Sequence, residues 1–158
     1  MKIAVFPGSF DPITLGHLDI IQKADKIFDL IIIALGRNDL KNSFLKSDVK
    51  MNMLKKVFRQ KKNIIIKQYN SLTIDFCKKN NAKFIIRGVR NTLDFEAEKQ
   101  LALMNEDLEN SITTIFIPCS KQYEAISSSI VKDIIKNKGQ LEKFIPKEII
   151  TEIKSIHY

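Results

Sequence analysis

Tryptophan is absent from this chain, and histidine, cysteine, proline and glycine number only two, two, four and five in 158 residues. Each shortage excludes something. Cys77 and Cys119 stand far apart and form neither a zinc spacing nor a disulfide framework. With His17 and His157 the only histidines, no Ser-His-Asp set stands out. No apolar run approaches the roughly 20 residues that a membrane helix needs. Leu30 to Leu35 is strand length, and Ile3 to Phe6 is too short for a signal-peptide core. A cytoplasmic protein is expected, with no membrane partner. No G-x-G-x-x-G follows a strand and no P-loop string occurs, which disfavours hydride transfer and P-loop hydrolysis.

What is present is ordinary in bulk and unusual in detail. A composition 44% apolar and 28% charged suits a folded chain, and the length suits one domain over residues 1–158. The net charge of +8 could serve a polyanion. The lysines are dispersed, however, and no aromatics interleave with them, so no nucleic-acid partner is expected. A small phosphorylated ligand needs only a local basic site.

The apolar pattern alternates between two periods. Strands are predicted at Ile3–Phe6, Leu30–Leu35, Ile64–Ile66, Phe84–Ile86 and Ile115–Ile117. Helices are predicted between them. Leu18 to Phe28 marks the first, with His17 about one turn in. Met53 to Phe58 marks the second, with Ser47 as N-cap, and Leu72 to Cys77 the third. Ala97, Leu101, Met104 and Leu108 mark a long fourth. Ile130 to Ile135 marks a fifth closed by Gly139, and Pro146 opens a last one. Five short apolar strands separated by helices predict an α/β fold: a Rossmann-like, doubly wound, five-stranded parallel sheet with helices on both faces.

Four stretches concentrate chemistry-bearing residues. Phe6 to His17 turns strand one into helix one and holds two Pro, two Gly, a Ser, a Thr, an Asp and a His. Gly8 and Gly16 allow a ligand close to the backbone, and the helix start favours an anion. The alternative for the same turn is a tight strand–helix connection with a solvated His17. Arg87-Gly88-Val89-Arg90 ends strand four, where arginine forks suit phosphate oxygens, or could be simply solvated. Ser127, Ser128 and Ser129 open helix five, more hydroxyls than an N-cap requires. Asp94, Glu96 and Glu98 stand in the first turns of helix four. For Asp94 and Glu96 the macrodipole is sufficient reason, while Glu98 could reach a ribose or amine. In a doubly wound sheet the crevice opens where strand order reverses, often between strands one and four. Three anion-favouring turns would then converge there. Cys77 reads as a small buried hydrophobe.

At these residues the chain resembles the nucleotidylyltransferase superfamily. Thr14-Leu15-Gly16-His17 matches its (H/T)xGH motif and Ile126 to Ser129 its ISSS motif. Pro7 to Pro12, Gly16 to Asp19, Ile86 to Arg90, Asp94 to Glu96 and Ile126 to Val131 make it similar to bacterial phosphopantetheine adenylyltransferases, over almost the whole chain. The resemblance implies transfer of the adenylyl group of ATP to 4′-phosphopantetheine, with Mg2+, in a cytoplasmic homohexamer subject to coenzyme A feedback. It also implies residue roles. Ser9, Phe10 and His17 would face the triphosphate, with Ser9 also reaching the acceptor. Gly88, Val89, Arg90 and Glu98 would bind ATP, as would Tyr123, Glu124, Ala125, Ile126, Ser127, Ser128 and Ser129. Lys41, Thr73 (with Leu72) and Arg87 would bind the acceptor substrate. No residue is expected to ligate metal. A related enzyme with another phosphate acceptor is the alternative. Ser9 stands where many members have Thr, Thr14 where the wider superfamily often has His, and Tyr123 where some have Trp. The Lys41–Phe44 loop is slightly short.

Overall fold

The computed structural model describes residues 1–36 and 43–158. The expected roles of Lys41 and most of the Gly36–Phe44 loop therefore lie outside the described residues. The chain runs β1 (Ile3–Gly8), α1 (Leu15–Ala24), β2 (Leu30–Gly36), α2 (Ser47–Val57), β3 (Ile64–Tyr69) and α3 (Thr73–Lys79). It continues with β4 (Phe84–Val89), α4 (Thr92–Leu108), β5 (Thr113–Pro118), α5 (Ser128–Lys136) and α6 (Lys147–His157). All five expected strands form, and all pairings are parallel in the order β3-β2-β1-β4-β5. The order reverses between β1 and β4, as anticipated. No helix among the described residues is long and apolar enough to cross a membrane.

The strand alternation divides the core in two. Ala4, Phe6, Ile31, Ile33, Leu35 and Ile86 face the larger cluster, built with α1, α2, α5 and α6. Val5, Ile32, Ala34 and Ile85 face the smaller one, built with α3 and Ile112. The register explains the crevice. β1 pairs with β2 through Gly8–Leu35, but with β4 only at Ala4–Phe84 and Val5–Ile85. Beyond those pairs β1 and β4 splay, and their carboxyl ends open a cleft.

Several local expectations are corrected. Helix α1 starts at Leu15, so His17 lies in its first turn, three residues past the Thr14 N-cap. Lys46 occupies the N-cap position of α2 without a side-chain bond, and Ser47 is already helical. Helix α5 closes with a Schellman motif, in which Gly139 N–H donates to Ile134 (2.9 Å) and Lys138 N–H to Ile135 (3.0 Å). The left-handed residue there is Lys138 (φ 54°), not Gly139. A Cβ on Gly139 would meet Ile134 Cγ2 at 2.8 Å, so close packing explains that glycine.

The repeat on α4 holds a larger surprise. Leu101, Met104 and Leu108 are 50–62% exposed, and no residue of the helix is buried. The apolar stripe that identifies the helix points away from the sheet. Contact with the sheet runs through Phe95, edge-on to Phe116 with centroids 5.1 Å apart.

Candidate active site

The cleft between β1 and β4 is a cavity of about 400 Å³, within the range of small-molecule sites. Its floor comes from the turn after β1. Phe10 takes φ 42°, which folds its ring back over the strand end, and a Cβ on Gly8 would lie 2.9 Å from that ring. Gly88 on β4 is filled likewise, since its Cβ would meet Ile20 Cγ1 at 2.8 Å. These glycines admit Phe10 and Ile20, protein groups, rather than a ligand. A Cβ at Gly16 would meet only ordinary contacts, none under 3.5 Å.

His17 is fixed by the cap of its own helix. Thr14 N–H donates to His17 Nδ1 (3.0 Å), and Thr14 Oγ1 lies 2.9 Å from the same nitrogen. His17 N–H closes the box onto Thr14 Oγ1 at 3.4 Å. This is a capping box with histidine in the place of the usual Glu or Gln. Because Nδ1 accepts a backbone N–H, the ring proton sits on Nε2. The ring packs against Phe10 and Phe6, with centroids 5.2 and 6.3 Å away. Burial lowers its pKa from 6.5 to about 4, and the Arg90 charge adds to the effect. At neutral pH His17 is an uncharged N–H donor.

The opposite wall carries the two arginines, each held by a carboxylate of α4. Arg87 grips Glu98 through Nε and through Nη2, the latter at 2.5 Å. Arg90 grips Asp94 through Nε (2.8 Å) and Nη2 (3.2 Å), and its Nη1 reaches the Ile126 carbonyl at 3.4 Å. Arg87 is thus pinned along one edge and Arg90 along one edge and at Nη1, and each of the two keeps N–H donors beyond these bonds. Neither carboxylate is explained by the helix dipole alone. The Arg90–Asp94 pair has i, i+4 spacing that the sequence could have disclosed. Arg87–Glu98 joins a strand to a helix across eleven positions, and no local signal marks it.

The third wall is the start of α5, and its three serines divide the labour. Ser127 caps the helix, accepting Ile130 N–H at 3.2 Å. Ser128 Oγ donates to the Pro12 carbonyl (2.9 Å), tying the helix to the turn after β1. Ser129 Oγ has no hydrogen-bond partner among the described residues. All three line the cavity with Ile126, Ser9, His17, Arg87, Gly88, Arg90 and Glu98. The other expected residues stand outside that lining. Phe10 supports His17 from behind, Val89 lies next to Gly88, and Tyr123, Glu124 and Ala125 form the approach to Ile126. Thr73 opens α3, its hydroxyl 3.1 Å from that of Tyr69 at the end of β3.

Braces behind the site were not read from the sequence. Asp11 accepts Phe44 N–H and Leu45 N–H, both at 2.8 Å, and Ser43 Oγ at 3.3 Å. Buried Lys50 donates to Ser43 Oγ at 2.7 Å. Asp19 accepts Ser120 N–H (2.8 Å), Ser120 Oγ (2.7 Å) and Lys23 Nζ (2.9 Å). Burial opposes the Asp19 charge, but these bonds outweigh it and hold the carboxyl below its usual pKa. Cys119, unassigned from the sequence, lines the cavity, while Cys77 is buried and its thiol pKa is pushed up to about 12 by burial.

The cytidylyltransferase-like family pattern matches residues 5–134, spanning β1, the cavity walls and most of α5. The chain belongs to the cytidylyltransferase-like family. Its relatives include the phosphopantetheine adenylyltransferase of Clostridium botulinum (strain Eklund 17B / Type B), 46% identical over 97% of this chain and 96% of that one. That of Clostridium perfringens (strain 13 / Type A) is 41% identical over 98% and 94%. The enzyme of that name from Vesicomyosocius okutanii is 41% identical over 97% of each. These relatives match over nearly the whole of both chains, so all three walls fall within the shared region.

No group of three His, Cys, Asp or Glu that could hold an ion occurs among the described residues. The acids that line the cavity, Asp94 and Glu98, are engaged by Arg90 and Arg87. Mg2+ held mainly by substrate phosphates, with few protein ligands, would be compatible with this lining.

Proposed function

We propose that this chain is a nucleotidyltransferase that moves the adenylyl group of ATP to 4′-phosphopantetheine, giving dephospho-coenzyme A and pyrophosphate. The observation that carries the reading is the convergence of a neutral His17 Nε2–H donor, two pinned arginines and the α5 N-terminus on one cleft. The naming of the full-length relatives supplies the acceptor.

The acceptor phosphate is already anionic, so its oxygen attacks the α-phosphorus without a general base. The new P–O bond forms as the bond to the bridging oxygen breaks, and pyrophosphate departs with that electron pair. Catalysis is positioning and charge stabilisation. His17 donates from Nε2 to the transferring phosphoryl oxygens. A ring with its pKa near 4 cannot give up charge as an acid at neutral pH, and Thr14 occupies the nitrogen that could act as a base. Ser9 and the Phe10 backbone lie beneath the phosphates. Gly88, Val89, Arg90, Glu98 and the Tyr123–Ser129 stretch bind the nucleotide. Arg87, Thr73 and Lys41 bind the acceptor. Mg2+ entering with ATP would supply neutralisation of phosphate charge, beside the Arg87 and Arg90 guanidinium groups.

The same reading includes one transferase domain over residues 1–158, a cytoplasmic homohexamer and feedback by coenzyme A. Incubation with ATP, Mg2+ and a panel of phosphate acceptors, with pyrophosphate as readout, tests it. Release with 4′-phosphopantetheine is expected. Release only with nicotinate mononucleotide or glycerol phosphate would reassign the acceptor, and no release with any would overturn the reading.

A further inference from the structure

The turn after β1 combines a strained residue with a clamp. Phe10 lies in the left-handed region at φ 42°, which a bulky side chain adopts only where its surroundings over-determine it. Its buried ring fills the space that Gly8 leaves open, and meets Phe6 edge-on at 5.7 Å and His17 at 5.2 Å. The next residue ties the turn down. Buried Asp11 accepts Leu45 N–H on Oδ1 and Phe44 N–H on Oδ2, both at 2.8 Å. Ser43 Oγ donates to Oδ2 and accepts from Lys50 Nζ on α2, so a buried lysine and a buried carboxylate are bridged through one hydroxyl. The Pro12 carbonyl then accepts Ser128 Oγ from α5. Residues 10–12 are thus fixed from both sides.

We propose that Asp11 is a positioning residue for His17: its clamp on residues 43–45 fixes the left-handed turn at Phe10, and the Phe10 ring so placed keeps His17 dry and its Nε2–H aimed into the cleft. The ionisable side chains around His17 do not supply that environment. Arg87 and Arg90 reach the cavity from the end of β4, Asp94 and Glu98 from α4, and Cys119 from the end of β5. Both carboxylates are engaged by the arginines, and Asp19, on the same helix as His17, is engaged by Ser120 and Lys23. Asp11 itself is turned toward residues 43–45, and α5 brings only serines to the cavity. Among the described residues no unengaged carboxylate therefore faces the imidazole to favour its charged form, and shielding by Phe10 and Phe6 decides. In Asp11→Asn one oxygen remains where two are needed, and the amide NH2 is set against a backbone N–H. The turn can then leave the left-handed region, which moves the Phe10 ring off His17 and lets water reach the imidazole.

Both histidines of the chain flank the clamp, since the His157 ring stacks on Phe44 with centroids 4.3 Å apart. Their imidazole C–H signals, followed by proton NMR from about pH 5 to about 8 and assigned with His17→Ala, read its two ends separately. In the wild type the His17 signal is expected to stay flat over this range. In Asp11→Asn the His157 signal is expected to move as the clamp opens, and His17 to bind protons about a hundredfold more tightly, which brings its titration into the range. Pyrophosphate release by the variant is expected to show kcat lowered by about 10²-fold, falling further in acid, with KM for ATP nearly unchanged. A merely structural role would lower stability without moving the His17 titration. If Asp11→Asn does not fold by circular dichroism, Ser43→Ala, at an exposed position, cuts the Lys50 bridge and replaces it, with shifts in the same direction. A wild-type His17 that titrates near its ordinary value, or a folded variant whose His17 stays flat, overturns the proposal. A shifted His17 with wild-type kcat overturns the positioning role. The rate measurement rests on the reading of His17 as the phosphoryl donor, whereas the titration needs no turnover. Absence of adenylyl transfer by the wild type would sink that reading and leave the titration to decide the clamp.

Discussion

His17 separates two mechanisms that would otherwise share an active site. As a fixed Nε2–H donor, its replacement in His17→Ala removes one bond to the transferring phosphoryl group. Loss of such a donor costs about 2.7–4 kcal/mol, or about 10²–10³ in turnover. The same change strips Thr14 N–H of its acceptor, a capping loss of about 0.5–2 kcal/mol. At roughly 2–4 °C per kcal/mol for a chain of this size, Tm falls by a few degrees and the fold survives. His17→Asn is the informative partner, because a short amide can accept from Thr14 and donate outward. It should recover Tm and only part of the rate. The pH dependence sharpens the comparison. The ring's pKa is about 4 when folded, against an ordinary 6.5 for the unfolded chain, so wild-type stability is complete above about 6.5. As pH falls from there toward 4, the unfolded chain takes up a proton that the folded one refuses, and stability declines. His17→Ala lacks that decline. Steady-state pyrophosphate assays and urea melts across this range read both effects. Near-wild-type turnover in His17→Ala, or a break in the wild-type rate near 6.5 that vanishes in the variant, would refute the neutral-donor argument.

Other perturbations test the walls. Gly88→Ala drives a methyl against Ile20 Cγ1 and should destabilise by about 1–3 kcal/mol in denaturant melts. Adding Ile20→Ala should relieve most of that clash, and an unrelieved double variant would contradict the packing explanation. Asp19→Asn weakens the tie from α1 to Ser120 and should cost about 1–3 kcal/mol at neutral pH. Because the folded Asp19 pKa lies below 3.8, its contribution is complete above that value and fades as pH drops through the folded pKa. The gap between variant and wild type should therefore narrow in acid melts. Thiol titration of the native chain should leave Cys77 unmodified until denaturant is added, since burial raises its pKa to about 12. ATP should slow whatever labelling occurs at Cys119, which lines the cavity.

The strands, the helices, the strand reversal and the turns that make all three cavity walls were legible in the sequence alone. Those features are local. A strand's apolar run, a helix's period and a turn's Gly, Pro and Ser are written within a dozen residues, and parallel strands then force the crossovers. The Phe6–His17 and Ile126–Ser129 stretches were legible for that reason. Even so, a local rule slipped at the end of α5. Lys138 rather than Gly139 takes the left-handed turn, and Gly139 instead leaves room for Ile134. What met what was left to tertiary packing. It joined Arg87 to Glu98 across a strand and a helix, seated Phe10 over Gly8, and turned the apolar stripe of α4 outward. A helical period states that one face is apolar, but not which neighbour lies against it. That depends on where the sheet ends and which helix reaches it, and on α4 the sheet receives Phe95 while the stripe remains exposed.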